Sequence, residues 1–215
     1  MTNITAARMN THSSSIGPCI LEGSRVRLEP LELRHAQSLV SAGEGFDWAW
    51  LSARLSDISS VENWIKEALE KERTGEEFPF VVISKPEGKI VGSTRYMDTR
   101  PHDKGTEIGW TWYSPKVWGT AVNPECKYLL LKHAFEDWEA IRVQLKTDNN
   151  NLHSQRAILK LGAKFEGRLR NHRFRRDGTI RDTMMYSITN SEWPEVKASL
   201  LERLRALGLE EISYQ

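Results

Sequence analysis

The segment Lys116-Val117-Trp118-Gly119-Thr120-Ala121 is the feature that most constrains what this chain can fold into. Alternating apolar residues over 106–113 predict a strand just before it. Asn123 and Pro124 predict a helix just after it, with Asn123 as the N-cap and Pro124 at the first helical position. The glycine and alanine of the segment let a ligand approach the backbone, and unpaired N–H groups of a first helical turn attract anions. The segment is therefore either a phosphate-binding loop or an ordinary turn.

The composition predicts one domain. A chain of 215 residues can bury a sizeable core, and its formal net charge of +1 argues against a general nucleic-acid or membrane-surface binder. No apolar run approaches the roughly 20 residues that span a bilayer. Cys19 and Cys126 are too few for a disulfide framework or a metal site, so we expect no metal and a reducing, cytoplasmic location. Residues 1–19 lack the apolar core of a secretory signal and predict a disordered tail, which leaves residues 20–208 as the domain.

The hydrophobic periodicity predicts a mixed α+β fold with no internal repeat and no linker. Strands are predicted at 24–31, 78–84, 90–97, 106–113, 141–146, 165–173 and 179–188. Helices are predicted at 33–42, 59–72, 124–138, 154–161 and 193–207.

Three segments, in this order along the chain, resemble the GNAT acyltransferase superfamily. Glu107-Ile108-Gly109-Trp110 is similar to a strand of the RimJ/RimL branch, whose members acetylate the N-termini of ribosomal proteins. Lys116, Gly119 and Ala121 fill the spacing of the family's pyrophosphate loop, with lysine in place of the usual Gln or Arg. Residues 147–167 resemble the second cofactor motif, in which an asparagine and a serine three residues later open a helix. The resemblance covers about residues 20 to 190 and implies a mixed, mostly antiparallel sheet of about seven strands flanked by helices.

The resemblance also implies acetyl-CoA as co-substrate and transfer of its acetyl group to a primary amine, directly, in a ternary complex. In the family the loop backbone holds the pyrophosphate and the pantetheine arm runs along the end of the preceding strand. The cofactor-binding residues expected on this basis are Trp112, Tyr113, Lys116, Val117, Trp118, Gly119, Thr120, Ala121, Asn151 and Ser154.

Two residues are candidates for the proton transfers that such a reaction needs. By resemblance, Ser154 is the general acid near the cofactor sulfur; the alternative is an ordinary serine at a helix start. Glu107 is the candidate base, and its alternative role is an ion pair on a strand. The related ribosomal enzymes have a glutamate in the strand after the second motif, where this chain has Asn171-His172-Arg173. His172 either replaces that glutamate or is structural.

The acceptor site is expected to form from Phe46, Trp48 and Trp50, in the segment that the family uses as a substrate wall, together with Arg95 and His172. The acceptor is a protein N-terminal α-amine or a small amine metabolite. A basic run on the last hairpin is either a solvated surface or a site for an acidic partner, with nucleic acid not expected as the main one. The run consists of Arg168, Arg170, Arg173, Arg175, Arg176 and Arg181.

Three alternatives stay open at this stage. The donor could be another acyl-CoA, such as succinyl-CoA, if arginines surround the acyl pocket. The chain could instead be a non-catalytic module that binds acyl-CoA and a partner. The chain could also form a homodimer, since dimers are the commonest oligomers.

Overall fold

The computed structural model of the protein describes residues 16–209. Eight strands are present in this range: β1 (Leu21–Glu22), β2 (Val26–Pro30), β3 (Phe78–Ser84), β4 (Lys89–Arg100), β5 (Gly105–Tyr113), β6 (Arg142–Asp148), β7 (Lys164–Phe174) and β8 (Ile180–Thr189). Five α-helices accompany them: α1 (Ala36–Ala42), α2 (Ile58–Arg73), α3 (Val122–Lys132), α4 (Leu152–Leu159) and α5 (Trp193–Ala206). Short 3₁₀ turns lie at Leu33–His35, Trp48–Trp50 and Pro115–Val117.

The strands form one sheet in the order β1-β2-β3-β4-β5-β6-β8-β7. Every neighbouring pair is antiparallel except β5–β6, which is parallel. The predicted α+β fold with a mixed, mostly antiparallel sheet is therefore confirmed. The eighth strand is the two-residue β1, which is too short to produce a periodic signal in the sequence.

Helices cover both faces of the sheet. On one face, α3 and α5 pack with Ile158 of α4 over a core that includes Leu28, Phe80 and Tyr96. On the other face, α1 and α2 pack over a second core around Val81 and Trp112. Phe80 and Val81 are neighbours in β3 and point to opposite faces, as the pleat of a strand requires. None of the helices within residues 16–209 is long and apolar enough to cross a membrane.

The helix after the loop at 116–121 differs in detail from the prediction. It begins at Val122 rather than Pro124, and the hydroxyl of Thr120 accepts a hydrogen bond from the Val122 amide at 3.3 Å, so Asn123 is not the N-cap. Pro124 is then the third helical residue, where its missing N–H costs nothing because first-turn amides have no partner within the helix. The α-helix ends at Lys132 and continues as a π-turn, His133–Asp137.

The predicted tail, residues 1–19, falls mostly outside the described residues, which begin at 16. Of its last four residues, Ile16 is only 4% exposed and packs in the core with α3. Cys19 is half-buried, with its Sγ 3.7 Å from Nε2 of His133.

Candidate active site

The parallel strands β5 and β6 separate halfway along their length. Their pairing covers Gly105–Glu107 against Arg142–Gln144, and over residues 108–113 the described part of the chain provides no partner on that side of β5. A bulge follows in β5, where the register against β4 shifts and Trp110 adopts a left-handed φ of 48°. Bulges bend a strand and redirect its side chains. The result is an opening in the sheet beside β5.

The loop after β5 is shaped to receive an anion. Gly119 has a φ of +75°, which favours glycine, and a Cβ placed there would meet nothing within 4 Å. The Thr120 hydroxyl donates to the Val117 carbonyl at 2.7 Å and so holds the turn. The amides of Gly119, Ala121 and Asn123 donate to no acceptor among residues 16–209. Free amides at the positive end of an eleven-residue helix fit a pyrophosphate group.

Aromatic side chains fix this loop to the strand before it. Val117 is buried, and Trp118, which is 55% exposed, donates through Nε1 to the Tyr113 carbonyl at 3.0 Å. Phe46 lies 6.3 Å from the Trp118 ring and 5.9 Å from the Trp112 ring. Lys116 is exposed beside these residues, so its ammonium is free to approach a bound phosphate.

Asn151 and Ser154 lie at the same edge of the sheet, because α4 follows β6 as the loop follows β5. Asn151 caps α4: its Oδ1 accepts a hydrogen bond from the Ser154 amide at 3.0 Å. Ser154 is therefore not the cap, although the asparagine–serine pair does open a helix as expected. Neither the Asn151 amide nitrogen nor the half-buried Ser154 hydroxyl has a hydrogen-bond partner among residues 16–209, so both are available to a ligand.

A cleft of about 550 Å³ lies on the face that carries α2. Its walls come from α2, β4, β5, β6 and β7, and they combine aromatic and thioether side chains with charged groups. The lining residues include Trp64, Lys71, Glu77, Arg95, Met97, Trp110, Lys146 and His172. A volume of this size is within the range of small-molecule sites.

Glu107 is buried next to this cleft, in contact with two of its lining residues, Gln144 and Lys146. It is 2% exposed, and its Oε2 accepts hydrogen bonds from Lys146 Nζ at 2.7 Å and from Gln144 Nε2 at 3.1 Å. No side chain or backbone group within residues 16–209 donates to its Oε1. A Cβ built on Gly109 would lie 3.0 Å from Oε1 and 2.6 Å from Met97 Sδ, so a larger residue there would displace one of these side chains. The carboxylate thus has one oxygen held by a cation and one directed toward the bulge.

Arg95 is 2% exposed and lies against two indoles in the same cleft. Its guanidinium carbon is 4.7 Å from the Trp64 ring and 5.0 Å from the Trp110 ring. Nη1 donates to Glu77 Oε2 at 2.5 Å, while Lys71 Nζ binds the other oxygen of Glu77 at 2.9 Å. Burial lowers the pKa of Arg95, and Glu77 opposes that effect. An arginine stays charged in proteins, so this wall of the cleft carries a buried cation.

His172 lines the opposite wall and accepts or donates at Nδ1 with the Thr183 hydroxyl, 3.0 Å away. Burial lowers its pKa below the usual 6.5, and the nearby cations Arg173, Lys146 and Arg181 lower it further. The imidazole is therefore neutral at neutral pH.

The arginines of the basic run on the β7–β8 hairpin lie in different environments. Arg175 makes a two-pronged ion pair with Asp148, through Nε at 2.7 Å and Nη2 at 2.9 Å, and so ties the hairpin to the end of β6. Arg168 pairs with Asp182, and Arg176 donates to the Trp48 carbonyl at 3.3 Å. Only Arg173 of the run lines the cleft. Most of these arginines therefore hold the hairpin in place.

The structure places the expected acceptor-site residues in two groups. Arg95 and His172 line the cleft. Trp48 is buried against Trp112, with ring centroids 5.0 Å apart, and Phe46 packs on both; Trp50 is 38% exposed. Phe46 and Trp48 pack near the loop after β5, and none of the three aromatic residues lines the cleft, so their role in acceptor binding stays a prediction.

Sequence reasoning missed several of the cleft residues. Trp64 has the helical spacing of an ordinary core residue, and Glu77 and Lys146 carry no local pattern. Trp110 lies in a recognised motif, but its bulge is a property of the folded sheet. A pairing of distant charged residues is not encoded in local spacing.

Comparison with known proteins agrees with this geometry. Residues 25–164 match the family described as Acetyltransferase (GNAT) domain. A GCN5-related N-acetyltransferase from Brucella melitensis is 29% identical with a TM-score of 0.82, over 88% of this chain and 87% of its own.

Two further solved structures share the fold. Mycobacterium smegmatis RimJ in complex with CoA-disulfide is 20% identical with a TM-score of 0.75, over 86% of this chain and 95% of its own. A ribosomal-protein-S5-alanine acetyltransferase from Vibrio fischeri is 18% identical with a TM-score of 0.67, over 81% and 98%. No curated protein matches the sequence. The match over most of the chain, together with the fold, shows that this protein belongs to the GNAT acetyltransferases and is an N-acetyltransferase.

Proposed function

We propose that the chain transfers an acetyl group from acetyl-CoA directly to a primary amine bound in the cleft, with both substrates present together. The observation that carries this proposal is the position of β5. The anion-binding loop continues from its end, the opening toward β6 lies along its free edge, and the Glu107 carboxylate lies at its cleft side. Acetyl-CoA supplies the activated thioester carbonyl.

The cofactor is held mainly by backbone groups. Amides of Gly119, Ala121 and Asn123 bind the pyrophosphate, and Lys116 adds positive charge near it. The free edge of β5 at Trp112 and Tyr113 provides backbone groups for the pantetheine amides, and Asn151 reaches them from α4. This arrangement relies on rigid, preorganised donors, which is the effective way to position a charged ligand.

The chemistry needs one group to take a proton and one to give it. Glu107 takes the amine proton through Oε1, directly or through a water molecule, while Lys146 and Gln144 hold the other oxygen in place. Ser154 gives a proton to the leaving thiolate from the first turn of α4. An α-amine has a pKa near 8 compared with about 10.4 for a lysine side chain. An α-amine acceptor therefore needs less help from a base than a lysine side chain does, and a ribosomal-protein-S5-alanine acetyltransferase is among the solved structures that share this fold.

The test is amine-dependent release of free thiol from acetyl-CoA, with the acetylated nitrogen identified by mass spectrometry. Glu107→Gln is expected to lower kcat by about a hundredfold or more, with little change in acetyl-CoA affinity. Thiol release that does not depend on any amine, in a chain that binds acetyl-CoA, would contradict transfer and favour a non-catalytic binding module.

A further inference from the structure

We infer that the acceptor carries a carboxylate a few bonds from its amine, as an amino acid does, and that Arg95 binds this carboxylate. The inference rests on the proposed function and narrows its acceptor class. Arg95 has buried hydrogen-bond donors without a partner, and the packing of the fold does not explain them.

Within the described residues, Arg95 makes a hydrogen bond through one of its three nitrogens. Nη1 donates to Glu77, while Nε and Nη2 are buried and have no hydrogen-bond partner among residues 16–209. A buried donor without a partner costs about 1–3 kcal/mol, and more when the group is charged. Proteins rarely leave such donors unpaired except where a water molecule or a ligand accepts their hydrogen bonds.

The two free nitrogens form one edge of a planar fork. A guanidinium edge of this kind matches both oxygens of a carboxylate, with two parallel N–H···O bonds. Trp64 and Trp110 contact the guanidinium and limit its rotation, so the fork is preorganised. Glu77 cannot neutralise Arg95 fully, because Lys71 binds the same carboxylate. A second anion on the remaining edge would accept these hydrogen bonds and balance the remaining charge. Glu67, on the exposed rim of the cleft, acts on Arg95 electrostatically but makes no ion pair with it in the described part of the chain.

The register of the sheet sets the distance between this carboxylate and the amine. Arg95 lies opposite Gly109, and Glu107 Oε1 is directed toward Gly109. Arg95 and Met97, the residue opposite Glu107, are two positions apart in β4, about 7 Å along the strand. An amine at Glu107 and an acid group at Arg95 can therefore belong to one small molecule.

The experiment compares matched acceptors on the unmodified protein. Initial rates of thiol release are measured at saturating acetyl-CoA for the common amino acids and for the corresponding carboxamides, which keep the same amine and side chain. At least one amino acid is expected to show kcat/KM about tenfold or more above that of its amide. Amidation lowers the pKa of the amine and so increases its reactive fraction, which means that ionisation alone would give the opposite preference.

Two results would overturn the inference: amides that react as well as or better than every acid, or no amino acid that accelerates thiol release. In the first case amine acetylation itself stands and only the carboxylate is wrong. If neither series reacts, the inference fails; the proposed function fails as well only if no other primary amine, a peptide N-terminus included, releases thiol although calorimetry shows acetyl-CoA binding.

A pair of variants locates the recognition at Arg95. Arg95→Lys keeps the positive charge beside Glu77 but removes the fork, and it is expected to reduce the acid-to-amide ratio at least about tenfold. Arg205→Lys, an exposed position on α5, is the matched control and should keep the wild-type ratio. An unchanged ratio in folded Arg95→Lys would assign Arg95 to structure alone.

Discussion

Replacing Lys127 by methionine should stabilise this protein at neutral pH. Lys127 lies in α3 and is 5% exposed, and in the described part of the chain its Nζ makes one hydrogen bond, to the Thr111 hydroxyl at 2.7 Å. Burial lowers its pKa from 10.5 to about 7. Methionine has a similar length and no charge, and Thr111 keeps its contact with the Thr94 hydroxyl at 2.8 Å.

The magnitude follows from proton linkage. The unfolded chain holds the lysine proton up to pH 10.5, whereas the folded chain releases it above about 7. The unfolded state therefore binds more protons between these values, so the stability of the wild type rises with pH across this window. At about 1.4 kcal/mol per pH unit, the penalty at pH 7 is on the order of 4 kcal/mol. The hydrogen bond that methionine loses contributes about 1 kcal/mol, so we expect a net gain of roughly 2–3 kcal/mol.

Urea unfolding at pH 7 and at pH 9.5 measures both parts of this prediction. The wild type should gain stability between the two values, and Lys127→Met should be more stable at pH 7 and lose that dependence. Lys66→Met, at an exposed position of α2, is the control and should keep the wild-type pH dependence. A less stable Lys127→Met protein with an unchanged pH dependence would refute the reasoning, because it would mean that Lys127 is held as a well-compensated cation.

Three other perturbations have definite outcomes. Glu125→Ala should lower the free energy of unfolding by at least about 3 kcal/mol, because the carboxylate accepts hydrogen bonds from three backbone amides at residues 24–26. Thermal unfolding measures this loss, and a loss below about 1 kcal/mol would contradict the prediction. Ser154→Ala should slow thiol release and leave acetyl-CoA affinity within a few-fold, and full activity would remove the serine from the mechanism. The hydrogen bond from Arg142 lowers the pKa of Glu166 from 4.5 to about 2, so the pair contributes stability above pH 4.5 that is lost as the pH falls toward 2. Glu166 is 37% exposed, so this contribution is under about 1 kcal/mol, and Glu166→Gln should unfold with less dependence on pH in this window; an unchanged acid unfolding curve would count against the pair.

The sequence predicted the fold well because its elements are marked by local signals. The strand at Phe78–Ser84 was predicted with its observed bounds, since a β-branched run between clear boundaries is a strong signal. The start of α3 is two residues earlier than predicted because Asn123 and Pro124 form an apparent capping pair, whereas the N-cap is Ala121, which has no capping side chain. Several neighbouring residues can act as the cap of a helix, and the identity of one residue does not decide which of them does.

The site could be predicted only in part. The loop around Gly119 has a local cause, a left-handed φ next to a helix start, and its spacing shows in the sequence. The cleft depends on contacts between residues far apart in the chain, such as Arg95 with Glu77 and Glu107 with Lys146. Their pairing follows from strand register and from the bulge at β5, which no local pattern encodes.

A calorimetric titration with acetyl-CoA tests the central claim most directly. The wild type should bind with a micromolar Kd, and Gly119→Glu should abolish binding by placing bulk and negative charge among the loop amides. Gly88→Glu is the matched control, since Gly88 also has a positive φ, +62°, and open space around its Cβ, in the turn between β3 and β4; it should bind as the wild type does. Succinyl-CoA, titrated in parallel, should bind more weakly than acetyl-CoA. No binding by the wild type, or equal binding by folded Gly119→Glu, would contradict the assignment of this loop to the cofactor.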